Sequence, residues 1–263
     1  MRVWVLFVLI FLVGPISTPL RAQEGAAEVE PGEGPIFGTG WGMTLALDGT
    51  GFYNDVIRLA LEDVTPEKLY QPLPYKRAKV EFAKDTASCL YPSNIEHLAR
   101  GGEINLDNDF IQTVPVIWVE SHLFSRPGTP PLTSLSALEG KKVAYPNGSA
   151  LPTVLGEFGA QFMPTTDENT KARMLIAGRV HYMSGSLPDN IFVFKALGHP
   201  LPPYNPDLAL IRTGVSVVCH DTPANRTFVQ AFDARMATLM RDGGMEALYA
   251  VEGVDLRFLP GYE

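Results

Sequence analysis

The chain has 263 residues, 46% hydrophobic and 19% charged, which excludes fibrous, disordered and disulfide-scaffold classes. Its net charge of -8, from 29 acidic and 21 basic residues, leaves no basic stripe to follow a phosphate backbone, so nucleic acid is not an expected partner. The roughly 240 residues beyond the N-terminus suit one large domain or two lobes of about 100 to 120 residues each.

Arg2 precedes an apolar run from Val3 to Val13, followed by Gly14, Pro15 and mostly small or polar residues up to Ala22. The run is about 11 residues long, too short to cross a hydrocarbon layer of roughly 30 Å, so residues 1–22 read as a secretory signal peptide cut after Ala22. Losing Arg2 and Arg21, with no acid, takes the charge from -8 to -10. The mature chain is expected to be soluble and periplasmic, and residues 23–35 to form a flexible leader without bulk to bury. In an oxidising compartment the two cysteines predict one Cys89–Cys219 bridge, with two free thiols as the alternative. The histidines at 97, 122, 181, 199 and 220 lack metal-site spacing, so neither metal nor cofactor is expected.

Ile36 to Leu47 is strand-like but broken by Gly38, Gly40 and Gly42, which let something approach the backbone closely. Apolar residues at 53, 56, 57, 60, 61 and 64 predict an amphipathic helix. Lys68 to Leu73 is extended, Pro74 opens a helix through Phe82, and Ala87 to Tyr91 returns as a strand. The unit then repeats, with an extended run over 113–124, a short helix near Leu135 to Leu138, a strand at Lys142 to Tyr145, and Asn147-Gly148-Ser149 leading into a helix. Thr166 or Asp167 caps a further helix that Gly178 stops, and Val180 to Met183 is a strand. After a Pro-rich connection comes a strand at Gly214 to Cys219, then a long helix with Thr222 as cap, Pro223 in its first turn and Gly243-Gly244 as its stop. Alternating strands and helices predict an α/β architecture with a largely parallel sheet, in two similar lobes.

Several strings carry a resemblance: Gly51-Phe52-Tyr53-Asn54-Asp55, Pro74-Tyr75-Lys76-Arg77-Ala78, Cys89-Leu90-Tyr91-Pro92, Leu138-Glu139-Gly140-Lys141-Lys142-Val143-Ala144, Asn147-Gly148-Ser149, Leu175-Ile176-Ala177-Gly178-Arg179-Val180 and Met240-Arg241-Asp242-Gly243-Gly244. In this order the chain resembles the type 2 periplasmic solute-binding proteins, amino-acid-binding (family 3) branch, which serve ABC transporters. The resemblance implies two α/β lobes joined by two crossing segments, with lobe 1 from 36–115 plus 214–263 and lobe 2 from 116–213. It also implies a cleft closing over a small polar or anionic solute, such as an amino acid or related organic acid. Two departures remove the inference to an amino acid in particular. Arg100 lies too far before the first crossing to match the family's carboxylate clamp, and Ser186 stands where the amino-binding Asp is usual, with Asp189 three residues on.

Candidate ligand contacts are Trp41, Phe52, Arg77, Tyr91, Asn147, Gly148, Ser149, Ser186 and Asp189. Trp41 offers a ring to stack on, and Arg77 a bidentate fork for a carboxylate or phosphate. The 147–149 loop presents donors to an anion, while Tyr91, Ser186 and Asp189 lie at or beyond the carboxyl ends of strands, where open α/β sheets bind ligands. The expected partners are the solute and a membrane transporter permease or membrane sensor, and the protein is expected to be a monomer. No catalytic motif is present, so no enzyme activity is expected. The catalytic alternative is a small-molecule carbon–oxygen lyase pairing His181 with Asp189.

Overall fold

A computed structural model of the chain describes residues 34–64, 68–105, 109–147, 149 and 151–261. The predicted signal peptide, most of the predicted leader and Gly148 lie outside the described residues.

The first lobe starts with β1 (Ile36–Gly40), which runs parallel to β2 (Tyr70–Pro74) on one side and β3 (Cys89–Ser93) on the other. Helix α1 (Phe52–Leu61) buries Phe52, Tyr53, Val56, Ile57 and Ala60, the stripe its periodicity predicts. Pro74 stands at the N-cap of α2 (Tyr75–Lys84), where its missing N–H costs nothing. The sequence did not announce α3 (Ile95–Arg100), which Asn94 caps by accepting from Glu96 N and His97 N. A short β4 (Phe110–Gln112) follows.

The chain then crosses to the second lobe along β5 (Ile117–Ser125). There β6 (Lys142–Pro146) runs parallel to β7 (Gln161–Thr165) and to β8 (Tyr182–Leu187), and β8 lies antiparallel to β5. Helices α4 (Leu151–Leu155), α5 (Glu168–Ile176) and α6 (Asp189–Ala196) connect and flank these strands. Strand β9 (Ile211–His220) serves both lobes, pairing with β5 through Ile211–Val215 and with β3 and β4 through its second half. One path of strands results, β2-β1-β3-β9-β5-β8-β6-β7, with β4 attached to β9. The sheet is therefore parallel only within each lobe. A chain that crosses out on β5 and returns on β9 makes the junction antiparallel, which corrects the expectation of a largely parallel sheet.

The crossings are fastened to each other by Val116 N to Val215 O (2.8 Å) and Thr113 N to Val217 O (3.0 Å). Helix α7 (Pro223–Arg241), capped by Thr222 accepting from Asn225 N, returns to pack on α1. Helix α8 (Gly244–Glu252) buries Tyr249, whose hydroxyl donates to Val116 O (3.1 Å) or Phe258 O (3.2 Å) and so ties the C-terminal segment to a crossing strand. Cys89 and Cys219 face each other in the β3–β9 register and form a disulfide, with Cα atoms 4.1 Å apart. No helix among the described residues is long and apolar enough to cross a membrane.

Candidate functional site

The parallel strands of the two lobes direct their carboxyl ends toward one another, and between them lies a cleft of about 960 Å³. That is the size of a small-molecule site, at the strand ends where open α/β sheets bind ligands.

Lobe 1 supplies the first wall. Beyond β1 the chain turns tightly, Trp41 N donating to Leu45 O (3.0 Å), with Gly42 at φ +57°. This projects the Trp41 ring into the cleft beside Tyr75, the first residue of α2, with ring centroids 5.3 Å apart. Both rings stay more than one third exposed. Lys76 and Lys79 follow from the same helix, and Lys79 Nζ donates to Glu103 Oε1 and to the Tyr75 hydroxyl, each at 2.5 Å.

Lobe 2 supplies the second wall from the turns after β6 and β7. Asn147 and Ser149 face the cleft from the first, and Thr166, Asp167 and Glu168 from the second. Asp167 caps α5, accepting from Thr170 N (2.7 Å) and the Thr170 hydroxyl (2.7 Å), and these bonds hold its carboxyl below the usual range. Glu168 Oε1 accepts from Lys171 Nζ (2.6 Å); burial lowers the pKa of that fully covered amine while Glu168 raises it.

Asp189 lies deeper, in a recess shared with Trp41, Thr44, Tyr53 and Ser186. It opens α6 but accepts from lobe 1, from the Thr44 hydroxyl at Oδ1 (2.9 Å) and the Tyr53 hydroxyl at Oδ2 (3.1 Å). Burial pushes its pKa up to about 6, the Glu168 charge adding to the effect and the two hydroxyl bonds opposing it. Nearby, Phe52 of α1 stacks on Phe192 of α6, centroids 5.5 Å apart. The lobes are thus in direct contact behind the cleft.

Of the residues singled out in the sequence, Trp41, Asn147, Ser149, Ser186 and Asp189 line the cleft or its recess. Arg77 does not. Its side chain is 67% exposed and pairs with Glu81. At 3.6 residues per turn Lys76 and Lys79 lie about 60° apart on the cleft face, while residue 77 points about 100° away from 76. Phe52 is 1% exposed, packed between Phe192 and Tyr249, and Tyr91 is fully buried with its hydroxyl donating to Tyr53 O (3.0 Å). Both belong to the packing behind the cleft.

The N–H groups of Asn147 and Ser149 are already bonded, to Thr165 O and Pro146 O, so neither is free for an anion. The proposed His181–Asp189 pair does not form: His181 Nδ1 accepts from Lys142 N at the far end of β8, about 20 Å of strand from Asp189. Thr44, Tyr53, Glu103, Asp167 and Glu168 were not picked out as site residues. For Asp167 the signal was available, because a helix cap directly after a parallel strand lies at the ligand-binding edge of the sheet.

No family profile matches the chain, and no curated protein matches it in sequence. Solved structures do. It is similar to a mutant of ArgBP from T. maritima, at 10% identity and a TM-score of 0.63, over 84% of this chain and 96% of that one. It is similar to a histidine kinase sensor domain with similarity to periplasmic binding proteins, at 16% identity and a TM-score of 0.62, over 82% and 94%. A third is the ancestral amino acid-binding protein AncCDT-1, a precursor of cyclohexadienyl dehydratase, at 11% identity and a TM-score of 0.61, over 84% and 95%. The fold is the two-lobed type 2 periplasmic-binding-protein fold. Its appearance in a binding protein, a sensor domain and an enzyme precursor means that function must be argued from the cleft.

Proposed function

We propose that this protein is an extracytoplasmic solute-binding protein that closes its lobes over a small polar solute and delivers it to a membrane transporter. The observation that carries the reading is the cleft itself: about 960 Å³, walled by both lobes, at the carboxyl ends of both sets of parallel strands. Two crossing strands are the backbone path between the lobes, a geometry suited to hinge closure around a ligand. The N-terminal apolar segment and the disulfide support a periplasmic location. Binding without turnover fits the cleft chemistry, because Asp189 is held by two hydroxyls rather than by a base.

A ligand-sensing role is the second reading, favoured by the likeness to a sensor domain, and it uses the same closure with a membrane receptor as partner. A thermal-shift screen of the mature protein with amino acids, organic acids, sugars and amines tests the common claim. A solute at 100 times its dissociation constant adds about 2.7 kcal/mol, a rise of several degrees in a chain this size. If no solute in the screen shifts the melting temperature, the binding reading is overturned.

A further inference from the structure

We infer that the solute is an organic cation with N–H donors, an alkylammonium or guanidinium compound, whose head lies between Glu168 and Asp189 beside Trp41. The inference rests on the binding-protein reading and specifies the ligand of the same cleft. It departs from the anion that the 147–149 loop suggested in the sequence.

The cleft and its recess are unevenly charged. Lys76 and Lys79 face Glu103, Asp167, Glu168 and Asp189. Lys79 is already engaged, its ammonium bonded to Glu103 and held 4.1 Å from the centre of the Tyr75 ring. An ammonium between a carboxylate and an aromatic face is thus a contact this cleft already makes once within the chain.

The second such place is only partly neutralised: buried Lys171 lies near both Glu168 and Asp189, but its ammonium bonds only one Glu168 oxygen. Glu168 Oε1 is taken by Lys171, but Oε2 is shielded from solvent and has no partner among the described residues. Glu168 borders a small recess that also touches Trp41, Thr44 and Asp189. A shielded carboxylate oxygen without a donor is costly, and bringing Asp189 near Glu168 adds repulsion between like charges. A cationic donor placed there relieves both, and the half-exposed Trp41 ring adds a cation–π surface. An anion would meet carboxylates, with Lys76 as the one cation in the described cleft lining outside the Lys79–Glu103 pair, Lys171 being paired with Glu168 behind it.

Titration calorimetry of the wild-type protein with putrescine, agmatine, 1,4-butanediol, succinate and L-glutamate tests this. The expected result is that putrescine or agmatine binds at least tenfold tighter than butanediol, succinate and glutamate, and that Glu168→Gln weakens the bound cation at least tenfold. Arg77→Glu, a larger charge change outside the cleft, should leave affinity within twofold. Removing Glu168 leaves Lys171 buried and unpaired, so the comparison of putrescine with its uncharged analogue on unmodified protein decides the matter if that variant does not fold. Tighter binding of succinate, glutamate or butanediol, or a screen whose only hits are anions or neutral solutes, overturns the charge assignment and leaves the binding reading standing. A screen without any hit overturns both.

Discussion

Replacing Asp189 with Asn should make the protein more stable at neutral pH, although Asp189 makes two hydrogen bonds in the native structure. Its carboxyl, ordinarily near 3.8, is raised to about 6 in the folded chain, chiefly by burial. The folded state therefore holds a proton there that the unfolded chain releases between pH 4 and pH 6. The group's stabilising contribution is complete below about pH 4 and disappears as pH rises through 6. A shift of about 2 units at roughly 1.4 kcal/mol each leaves the native state about 3 kcal/mol worse off above pH 6 than below pH 4. Asn fills the same space without ionising but accepts well from only one of the Thr44 and Tyr53 hydroxyls, a loss of about 1 kcal/mol. Asp189→Asn should thus be slightly less stable than wild type at pH 4 and about 2 kcal/mol more stable at pH 7.5. Urea unfolding at half-unit intervals from pH 4 to pH 8 reads this directly. If both proteins show the same pH dependence across that range, Asp189 titrates normally and its burial between the lobes is refuted. A carboxylate kept at such a cost points to a use in recognition, so the same substitution should weaken solute binding at pH 7.5.

Other predictions follow from single contacts. Reducing Cys89–Cys219 opens a loop of 130 residues and should cost about 4 to 5 kcal/mol, lowering the melting temperature by about 10 to 20 °C in calorimetry with and without reductant; a change of under 3 °C would count against the loop-closure account. Thr222→Ala removes the cap of α7 and should cost about 1 kcal/mol in urea unfolding, with no change in solute affinity. Glu120 accepts from buried His122 (3.1 Å) and faces Arg212 and Arg257 across the lobe junction, so Glu120→Ala should destabilise by about 2 to 3 kcal/mol and more strongly than Glu120→Gln, as measured by the same unfolding assay.

The helices that the sequence marks carry an apolar stripe, an opening proline or a cap: α1 its stripe, α2 Pro74, α5 Asp167 and α7 Thr222. Helix α3 has its Asn94 cap but only six residues, and α6 and α8 lack such marks. Helix α6 follows Pro188 directly and packs apolar side chains on several sides, between the lobes and the sheet, so its sequence has no helical period. Helix α8 begins at Gly243, which reads as the stop of α7 and, at φ +75°, is also the N-cap of the next helix. Strand β7 contains Pro164 and is largely exposed, which removes the apolar run that marks a strand. In the cleft, Trp41 is legible from its glycine-rich surroundings, whereas Arg77, singled out for its guanidinium fork, lies off the face that Lys76 presents to the cleft. Asp189 could be read as a residue and not as a contact. Thr44 and Tyr53 lie 145 and 136 positions away in the chain, and only the tertiary fold brings them to it.

The central claim, that a solute binds between the walls built on Trp41 and Asp167, has a direct test in the protein's own fluorescence. Trp118→Phe leaves Trp41 as the one indole beyond residue 35. Titrating that variant with a solute identified by thermal shift should change Trp41 emission in step with occupancy, with a midpoint equal to the calorimetric dissociation constant. Binding that saturates in the calorimeter while Trp41 emission stays constant would contradict the assignment of the cleft.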